Sequence, residues 1–298
     1  MRADDIVPPI MSQDRLDASL DIDRRSTLEI VRIMQQQDAL VAQAVAAEAE
    51  RIAHAVDEIT NRLSHGGRMF YVGAGTSGRI AKLDAAELPP TFGIDPSLVR
   101  VLMAGGERAF FAAAEGAEDD EEAAIATVEK EVVADDAVIG IAASGTTPYT
   151  LAAIRKANMI GALTVGITSQ PGSPLAQDAD IAIVPKTGPE VIMGSSRMKS
   201  GTAQKMVLNT ISTAVMIRLG HVYSNLMIDM PATNEKLRNR AVRMVELAAE
   251  VTRPIAVQAL RDAEGNVKLA AVIARKKVSA GEARKLLEGR NLREVLEA

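Results

Sequence analysis

The sequence contains no cysteine, no tryptophan and only three histidines among its 298 residues. Without cysteine, the chain forms no disulfide, no cysteine-ligated zinc site, no iron–sulfur cluster and no thiol nucleophile. His54, His65 and His221 leave little material for a histidine-rich metal site. Four Phe and three Tyr are too few for a binding site built on stacked aromatic rings. Aliphatic side chains must therefore fill the core.

The chain also has no excess of positive charge and no long apolar run. The formal net charge of −5 argues against nucleic acid or an anionic membrane as a partner. No apolar run reaches the roughly 18 residues of a membrane-spanning helix, and no apolar signal segment follows Asp4 and Asp5. We therefore expect a cytoplasmic protein that does not associate with membranes. The 47% apolar content provides for a sizeable core.

Short apolar runs alternate with helical stretches in the middle of the chain. This alternation predicts β-α-β units around a parallel sheet, whose buried strands are continuously apolar. The strands are predicted at residues 69–72, 99–103, 137–142, 163–167 and 181–184. The helices between them are predicted at residues 76–87, 109–131, 148–160 and 173–178.

Further helices are predicted on both sides of this region. Ser26-Thr-Leu-Glu29 is a capping box that begins a long helix, and Gly66-Gly67 ends it. Another long helix, in the core or between subunits, is predicted near residues 196–219. Asn266 and Ser279 begin two short helices in the charged C-terminal part. The predicted domains are an N-terminal arm (1–25), an α/β domain with N-terminal helices (26–232) and a helical C-terminal domain (233–298).

A glycine-rich loop follows the first predicted strand. Gly73-Ala-Gly-Thr-Ser-Gly78 fits the G-x-G-x-x-G fingerprint of dinucleotide-binding proteins. That interpretation is weak, because Asp95 precedes the second strand and Pro89-Pro90 interrupts the expected crossover helix. The hydroxyl groups of Thr76 and Ser77 at a helix N-terminus favour a phosphate monoester instead.

A similar loop follows the third predicted strand about 70 residues later. Ser144, Gly145 and Thr147 repeat the arrangement of hydroxyl groups and glycine before a helix. The two loops are interpreted as successive phosphate-binding loops of one sheet. Ordinary tight turns with helix caps are the alternative.

Carboxylates are the candidates for acid–base chemistry. Glu87 precedes Leu88-Pro89-Pro90, where a helix is expected to end. Glu115 and Glu118 lie in an acidic run, which is more often a solvated helix start. Two carboxylates in one pocket can divide the acid and base roles between them. The sequence alone does not show that Glu87 and Glu118 share a pocket.

A third group of polar residues follows the last predicted strand. Glu190 precedes Ser195-Ser-Arg-Met-Lys199 at the start of a helix. Hydroxyl groups and cations in that position suggest an anion or sugar site. An N-terminal cap with solvated charges is the alternative interpretation.

Several sequence blocks closely resemble the N-acetylmuramic acid 6-phosphate etherases, in order from about residue 12 into the C-terminal helices. This family belongs to the sugar isomerase (SIS) fold. The resemblance implies a five-stranded parallel sheet sandwiched by helices, a small all-helical C-terminal domain similar to ubiquitin-associated domains, and a homodimer with sites near the subunit interface. The blocks that carry it are residues 73–79, 83–93, 115–119, 140–145, 194–205 and 232–237.

The resemblance also implies a reaction. The family cleaves the D-lactyl ether of its amino-sugar phosphate by elimination and water addition, without a metal or an organic cofactor. By motif position, Glu87 is expected to be the acid and Glu118 the base. The ligand is a small sugar phosphate, and the residues expected to bind it are Thr76, Ser77, Ser144, Thr147, Glu190, Ser195 and Lys199.

Three positions depart from the usual family pattern. Thr146 stands in place of an arginine, Ala86 in place of a serine and Leu88 in place of a cysteine. Two other functions remain as alternatives. An amino-sugar phosphate isomerase would use Glu190 as its base, and it would not need the Glu87 and Glu118 blocks. A non-catalytic sugar-phosphate-binding regulator is mildly favoured by Thr146.

Overall fold

A computed structural model describes residues 14–112, 114–232 and 234–298 of the chain. The chain divides into two compact units. The first comprises the residues up to Ala85 together with Ser97–Ser212, and the second comprises Ala86–Pro96 together with Thr213–Ala298. Residues 1–13 of the predicted arm and residue 233 at the predicted domain boundary lie outside the described residues. The three predicted domain ranges stay a prediction.

The first unit contains a five-stranded parallel sheet. Its strands are β1 (Met69–Gly73), β2 (Val99–Met103), β3 (Ala137–Ile141), β4 (Leu163–Ile167) and β5 (Ile181–Ile183). Their order in the sheet is β2-β1-β3-β4-β5. All five predicted strands are confirmed to within one residue at each end. The predicted five-stranded parallel sheet is confirmed as well.

In the part of the chain that the structure describes, seven α-helices accompany the sheet, and two of them, α3 and α7, continue from the first unit into the second. They are α1 (Thr27–Ala46), α2 (Ala49–Ser64), α3 (Gly75–Phe92), α4 (Glu121–Glu131), α5 (Pro148–Ile160), α6 (Pro174–Asp178) and α7 (Lys199–Arg218). Every residue of β1, β3 and β4 is buried, as parallel strands covered on both faces require. The predicted helices at 148–160 and 173–178 are confirmed.

The first predicted helix is two helices. The Ser26 capping box is confirmed, because Glu29 N donates to Ser26 Oγ (3.4 Å) and Ser26 N donates to the Glu29 carboxylate (2.9 Å). The helix then breaks at Ala47 and Glu48, between α1 and α2. At the break, the Glu48 carboxylate accepts a hydrogen bond from Val184 N (3.0 Å). Tertiary contact with the end of β5 therefore accompanies the break.

Helix α3 passes through two prolines. The expectation that it ends at Glu87 is wrong, since it continues to Phe92. Pro89 and Pro90 lack the N–H groups that an uninterrupted helix would use. They stand in the last turn, however, where Gly93 N still donates to Pro89 O (2.9 Å). Few helical bonds are therefore lost.

Only the second half of the predicted helix at 109–131 is an α-helix. Two short 3-10 turns, Glu107–Phe110 and Ala117–Asp119, precede α4. Gly116 between them has a φ of +72°, a left-handed conformation that interrupts a helix. The Asp120 side chain then begins α4 by accepting from Ala123 N (2.9 Å).

The second unit is mostly helical. A short antiparallel hairpin pairs β6 (Val222–Tyr223) with β7 (Leu226–Met227). Asn266 and Ser279 begin helices as predicted, because their side chains accept from Leu269 N and Glu282 N. None of the helices in the described residues is long and apolar enough to cross a membrane. The helices are α8 (Glu235–Ala249), α9 (Arg253–Asp262), α10 (Val267–Lys276), α11 (Ala280–Leu287) and α12 (Leu292–Leu296).

A buried polar cluster joins the sheet to α3 and α7 within the first unit. The carboxylate of Asp84, which is 4% exposed, accepts from Tyr71 Oη (2.7 Å), from Ser212 Oγ (3.0 Å) and from the Asn209 amide. Burial, together with the negative charge of Asp84, raises the pKa of the Tyr71 hydroxyl well above its usual value. The folded protein therefore holds the Tyr71 proton more tightly than the unfolded chain does.

This cluster predicts a loss of stability in alkali. The contribution of Tyr71 is fully present below the unfolded pKa of about 10, and it decreases as the pH rises above that value. We expect the free energy of unfolding to fall more steeply above pH ~10 in the wild type than in Tyr71→Phe. Urea unfolding followed by circular dichroism from pH 8 to 11 measures both slopes. Equal slopes would show that Tyr71 does not carry the effect.

Candidate functional site

The carboxyl ends of the central strands meet at one edge of the sheet. Gly73 at the end of β1 is in register with Met103 of β2 and with Ile141 of β3. The chain crosses from β1 to β2 on one side and returns to β3 on the other, so a topological switch point lies between β1 and β3. Open parallel sheets bind ligands in the crevice at such a point. Helices α3 and α5 both begin there and turn their N-termini towards it.

The first loop leads directly into α3. Thr76 and Ser77 are half-buried in its first turn, where backbone N–H groups have no partner within the helix. Ser77 Oγ donates to Gln204 Oε1 on α7 (3.0 Å). A Cβ added to Gly201 of α7 would lie 3.7 Å from the Thr76 methyl group. The small residue at 201 therefore lets α7 approach the start of α3.

The second loop joins β3 to α5, as the sequence predicts. Ser144 Oγ accepts hydrogen bonds from Thr146 N (3.2 Å) and from Thr146 Oγ1 (2.9 Å). Thr147 occupies the N-cap position of α5, with Pro148 as the first helical residue. The Thr147 side chain makes no capping hydrogen bond. The two loops thus bring hydroxyl groups to the ends of adjacent strands.

Gly145 gives the second loop its shape. Its φ of +67° lies in the left-handed region, which favours glycine. A Cβ at this position would lie 2.1 Å from Ser173 Oγ and 2.8 Å from Thr168 Oγ1. The loop therefore packs on the segment that follows β4, and no larger residue fits there without displacing it.

A cleft of about 200 Å³ lies between the loops that follow β1 and β2. Glu115 and Glu118 line it from one side, and Gly75 and Arg79 of α3 line it from the other. Both carboxylates are exposed. Arg79 Nη2 donates to Ala112 O (3.0 Å) and so ties α3 to the loop that leads to Glu118. The structure thus brings Glu118 to the helix that carries Thr76 and Ser77.

Glu87 lies further along α3 and is exposed. It belongs to the second unit, whereas Glu118 belongs to the first. A shared site for the two carboxylates stays a prediction.

Glu190 and Lys199 form the cap of α7. The buried Glu190 carboxylate accepts from Lys199 N (3.1 Å) with one oxygen and from Ser200 N (3.0 Å) with the other. Lys199 Nζ donates to Gln37 Oε1 (3.0 Å) and to Pro189 O (2.9 Å). Burial lowers the pKa of Lys199, although the charges of Glu190 and Asp38 oppose this shift. These contacts form a cap at the start of α7, which was one of the two interpretations of the sequence. The charged groups of Glu190 and Lys199 are buried, however, and not solvated.

The remaining candidates have local partners. Ser195 is half-buried, and its hydroxyl accepts from Arg197 N (3.4 Å). His54 and His65 are exposed. In the second unit, His221 Nδ1 lies 2.9 Å from Asp229 Oδ2, which also accepts from Lys268 Nζ. Within the described ranges, no group of three His, Cys, Asp or Glu side chains is arranged to hold a metal ion.

Comparison with known proteins first defines the class of protein. The SIS domain family matches residues 110–214, and the family of the glucokinase regulatory protein N-terminal SIS domain matches residues 51–158. A solved phosphoheptose isomerase from Neisseria gonorrhoeae aligns with a TM-score of 0.50 at 16% identity, over 64% of this chain and 98% of that one. A phosphoheptose isomerase from Francisella tularensis aligns equally well, with a TM-score of 0.50 at 18% identity and the same coverage. The protein has an SIS fold.

Curated relatives then define the family. The N-acetylmuramic acid 6-phosphate etherase of Symbiobacterium thermophilum is 56% identical over 263 residues, which cover 88% of each chain. That of Clostridium beijerinckii is 49% identical over 276 residues, or 92% of this chain and 91% of the relative. The chain belongs to the N-acetylmuramic acid 6-phosphate etherase family, and the resemblance seen in the sequence is confirmed.

The packing of Gly145 predicts a large effect of a single methyl group. Gly145 and Gly172 have nearly the same φ, +67° and +68°, but nothing lies within 4 Å of a Cβ at Gly172. Alanine at either position carries similar backbone strain, and only Gly145→Ala adds a collision with Ser173. We expect Gly145→Ala to lower the free energy of unfolding by about 1–3 kcal/mol more than Gly172→Ala does. Urea unfolding of both variants tests this; equal losses would refute the packing argument.

Proposed function

We propose that this protein is a carbon–oxygen lyase that cleaves the D-lactyl ether at C3 of N-acetylmuramic acid 6-phosphate. The products are N-acetylglucosamine 6-phosphate and D-lactate. The observation that carries the proposal is the 56% identity to an etherase over 88% of both chains. The position of Glu118 in a cleft beside the start of α3 supports it.

The phosphate group is proposed to bind at the ends of β1 and β3. A phosphate monoester accepts hydrogen bonds, and the hydroxyl groups of Thr76, Ser77, Ser144 and Thr147 can donate them. The N-termini of α3 and α5 add N–H groups and a favourable dipole. Glu190 and Lys199 support this site indirectly, because they hold the start of α7. Ser195 is retained as a candidate sugar contact.

The proposed mechanism divides the acid and base roles between two carboxylates. In the open-chain sugar, the C1 aldehyde acidifies the proton on C2. Glu118 removes this proton while Glu87 protonates the departing ether oxygen, and D-lactate leaves with formation of a C2–C3 double bond. Water then adds at C3, and a proton returns to C2. The residues supply proton transfer and positioning, and the reaction calls for no metal or organic cofactor.

A homodimer fits this mechanism. Glu87 is exposed in a single copy, whereas a general acid holds its proton at neutral pH most readily when it is removed from water. Leu83 of the same helix is 58% exposed, so an apolar surface is available for a second copy to cover. We place the reaction in the cytoplasm, in the catabolism of amino sugars from the cell wall.

The two alternatives are less well supported. An isomerase would use Glu190 as its base, but both Glu190 oxygens accept hydrogen bonds from the first turn of α7. A regulator that only binds a sugar phosphate has no need of the Glu87 and Glu118 carboxylates. The etherase activity therefore accounts for more of the residues.

One prediction of the proposed function concerns the overall reaction. We expect the purified protein to release D-lactate from N-acetylmuramic acid 6-phosphate, and Glu87→Gln to lower kcat by about 100-fold or more, because general acid catalysis contributes 10²–10⁴-fold. Glu50→Gln, an exposed carboxylate on α2, is the matched control and should behave as the wild type. The absence of D-lactate from the wild-type reaction would overturn the proposed function. Unchanged release by Glu87→Gln would remove only the role of Glu87.

A further prediction identifies the residue that removes the C2 proton. In D2O, the wild type should exchange the C2 proton of N-acetylglucosamine 6-phosphate, and Glu118→Gln should lose this exchange while still binding the sugar. Glu115→Gln is a demanding comparison, because Glu115 lines the same cleft, and we expect it to retain exchange. Proton NMR of the C2 signal gives the rates. Exchange that survives in Glu118→Gln and disappears in Glu115→Gln would assign the base to Glu115.

A further inference from the structure

Gln204 on α7 is a buried polar residue with an unpaired donor. Its side chain is only 2% exposed. Its Oε1 accepts a hydrogen bond from Ser77 Oγ (3.0 Å), while its Nε2 has no partner among the described residues. Buried N–H groups without a partner are rare in folded proteins. The amide is therefore held against Ser77 in an arrangement that leaves its nitrogen without a hydrogen bond.

The direction of this hydrogen bond conflicts with phosphate binding. A phosphate dianion only accepts hydrogen bonds, so the Ser77 side chain binds it only by donating its single hydroxyl proton. When that proton is directed at Gln204 Oε1, it is not available to the phosphate. A half-turn about the Cγ–Cδ bond of Gln204 exchanges the two ends of the amide and places Nε2 against Ser77 Oγ. Nε2 then donates to the hydroxyl oxygen, and the Ser77 proton is free.

We propose that Gln204 is a positioning residue for phosphate recognition: its amide donates Nε2–H to Ser77 Oγ and so directs the Ser77 hydroxyl proton to a phosphate oxygen. This inference rests on the proposed binding of the phosphate group at Ser77. Helix α7 would thus influence phosphate binding through Ser77, without contacting the phosphate itself. In this arrangement Nε2 gains Ser77 as a partner and Oε1 gives it up, so the amide keeps one hydrogen bond with the opposite direction.

The surroundings of Gln204 suit this role. Gly201, one turn earlier on α7, lies close enough to Thr76 that an added Cβ would stand 3.7 Å from its methyl group. The start of α7 is itself fixed by the two hydrogen bonds to Glu190. Because the amide is buried, water does not compete with Ser77 for it. Glutamine can also donate to Ser77 without bringing a negative charge close to the phosphate, as glutamate would.

Two substitutions test the inference at pH 8. Gln204→Glu keeps the shape of the side chain, but its carboxylate accepts the Ser77 proton and repels the phosphate. Gln204→Met keeps the approximate volume and removes both hydrogen-bonding groups. We expect KM to rise by about tenfold or more in Gln204→Glu and by less in Gln204→Met, since a hydrogen bond to a charged group contributes at least that factor. We expect kcat to stay within about twofold, because the phosphate lies away from the reacting carbons.

Gln43→Glu is the matched control, because it makes the same change at an exposed position of α1. It should leave both KM and kcat unchanged. A merely structural role of Gln204 would lower thermal stability and kcat together, without a selective rise in KM. That result, or a KM that is unchanged in both Gln204 variants, would overturn the inference.

A double-mutant cycle with Ser77→Ala separates this inference from the proposed function. Binding of N-acetylglucosamine 6-phosphate is measured by calorimetry for Ser77→Ala, for Gln204→Glu and for the double variant. We expect Gln204→Glu to weaken binding much less in the Ser77→Ala background than in the wild type. Independent, additive effects would overturn the role of Gln204. Unchanged binding by Ser77→Ala alone would instead show that the phosphate does not bind at Ser77.

Discussion

The candidate site depends on one constraint: adjacent parallel strands end in register at the carboxyl edge of the sheet. Gly73, Met103 and Ile141 end three adjacent strands in register. Each crossover of a parallel sheet must cover a face of the sheet with a helix, so the helices that follow these strands start from the same edge. Their unpaired N–H groups therefore converge where the strand order reverses. The phosphate site proposed above lies at this edge of the sheet.

Buried polar groups then fix the elements around that edge. Glu190 holds the first turn of α7, and Asp84 joins β1 to α3 and α7 through Tyr71 and Ser212. Buried carboxylates are costly unless every oxygen has a partner. The hydrogen bonds of Glu190 and Asp84 therefore fix the position of α7. Ser77 on α3 and Gln204 on α7 therefore lie within hydrogen-bonding distance of each other.

Sequence reasoning recovered the strands but not all of the helix ends. Short apolar runs bounded by turns identify buried parallel strands well, because β1 and β3 are buried along their whole length and are therefore mostly apolar. The break at Glu48 accompanies a contact with Val184, 136 residues away, and no local pattern signals it. Pro89 and Pro90 lie in the last turn of α3, where Gly93 N donates to Pro89 O. The helix therefore continues past the position at which prolines were expected to end it. The role proposed for Gln204 depends on its contact with Ser77, which lies 127 residues earlier in the chain. The sequence shows only that Gln204 belongs to the block at 194–205, and it gives no sign of this contact.

Thr146 shows how a neutral residue can serve a position where the family usually has arginine. Both its N–H and its hydroxyl group donate to Ser144 Oγ. A hydroxyl oxygen that accepts two hydrogen bonds keeps its own proton for a third partner, so Ser144 is prepared to donate to an acceptor-only ligand. The same principle underlies the role proposed for Gln204 at Ser77. An arginine would add a cation with its own donors, whereas Thr146 orients a hydroxyl group that is already present. In the proposed phosphate site, the part of the missing charge therefore falls to hydroxyl protons whose directions are set by their neighbours.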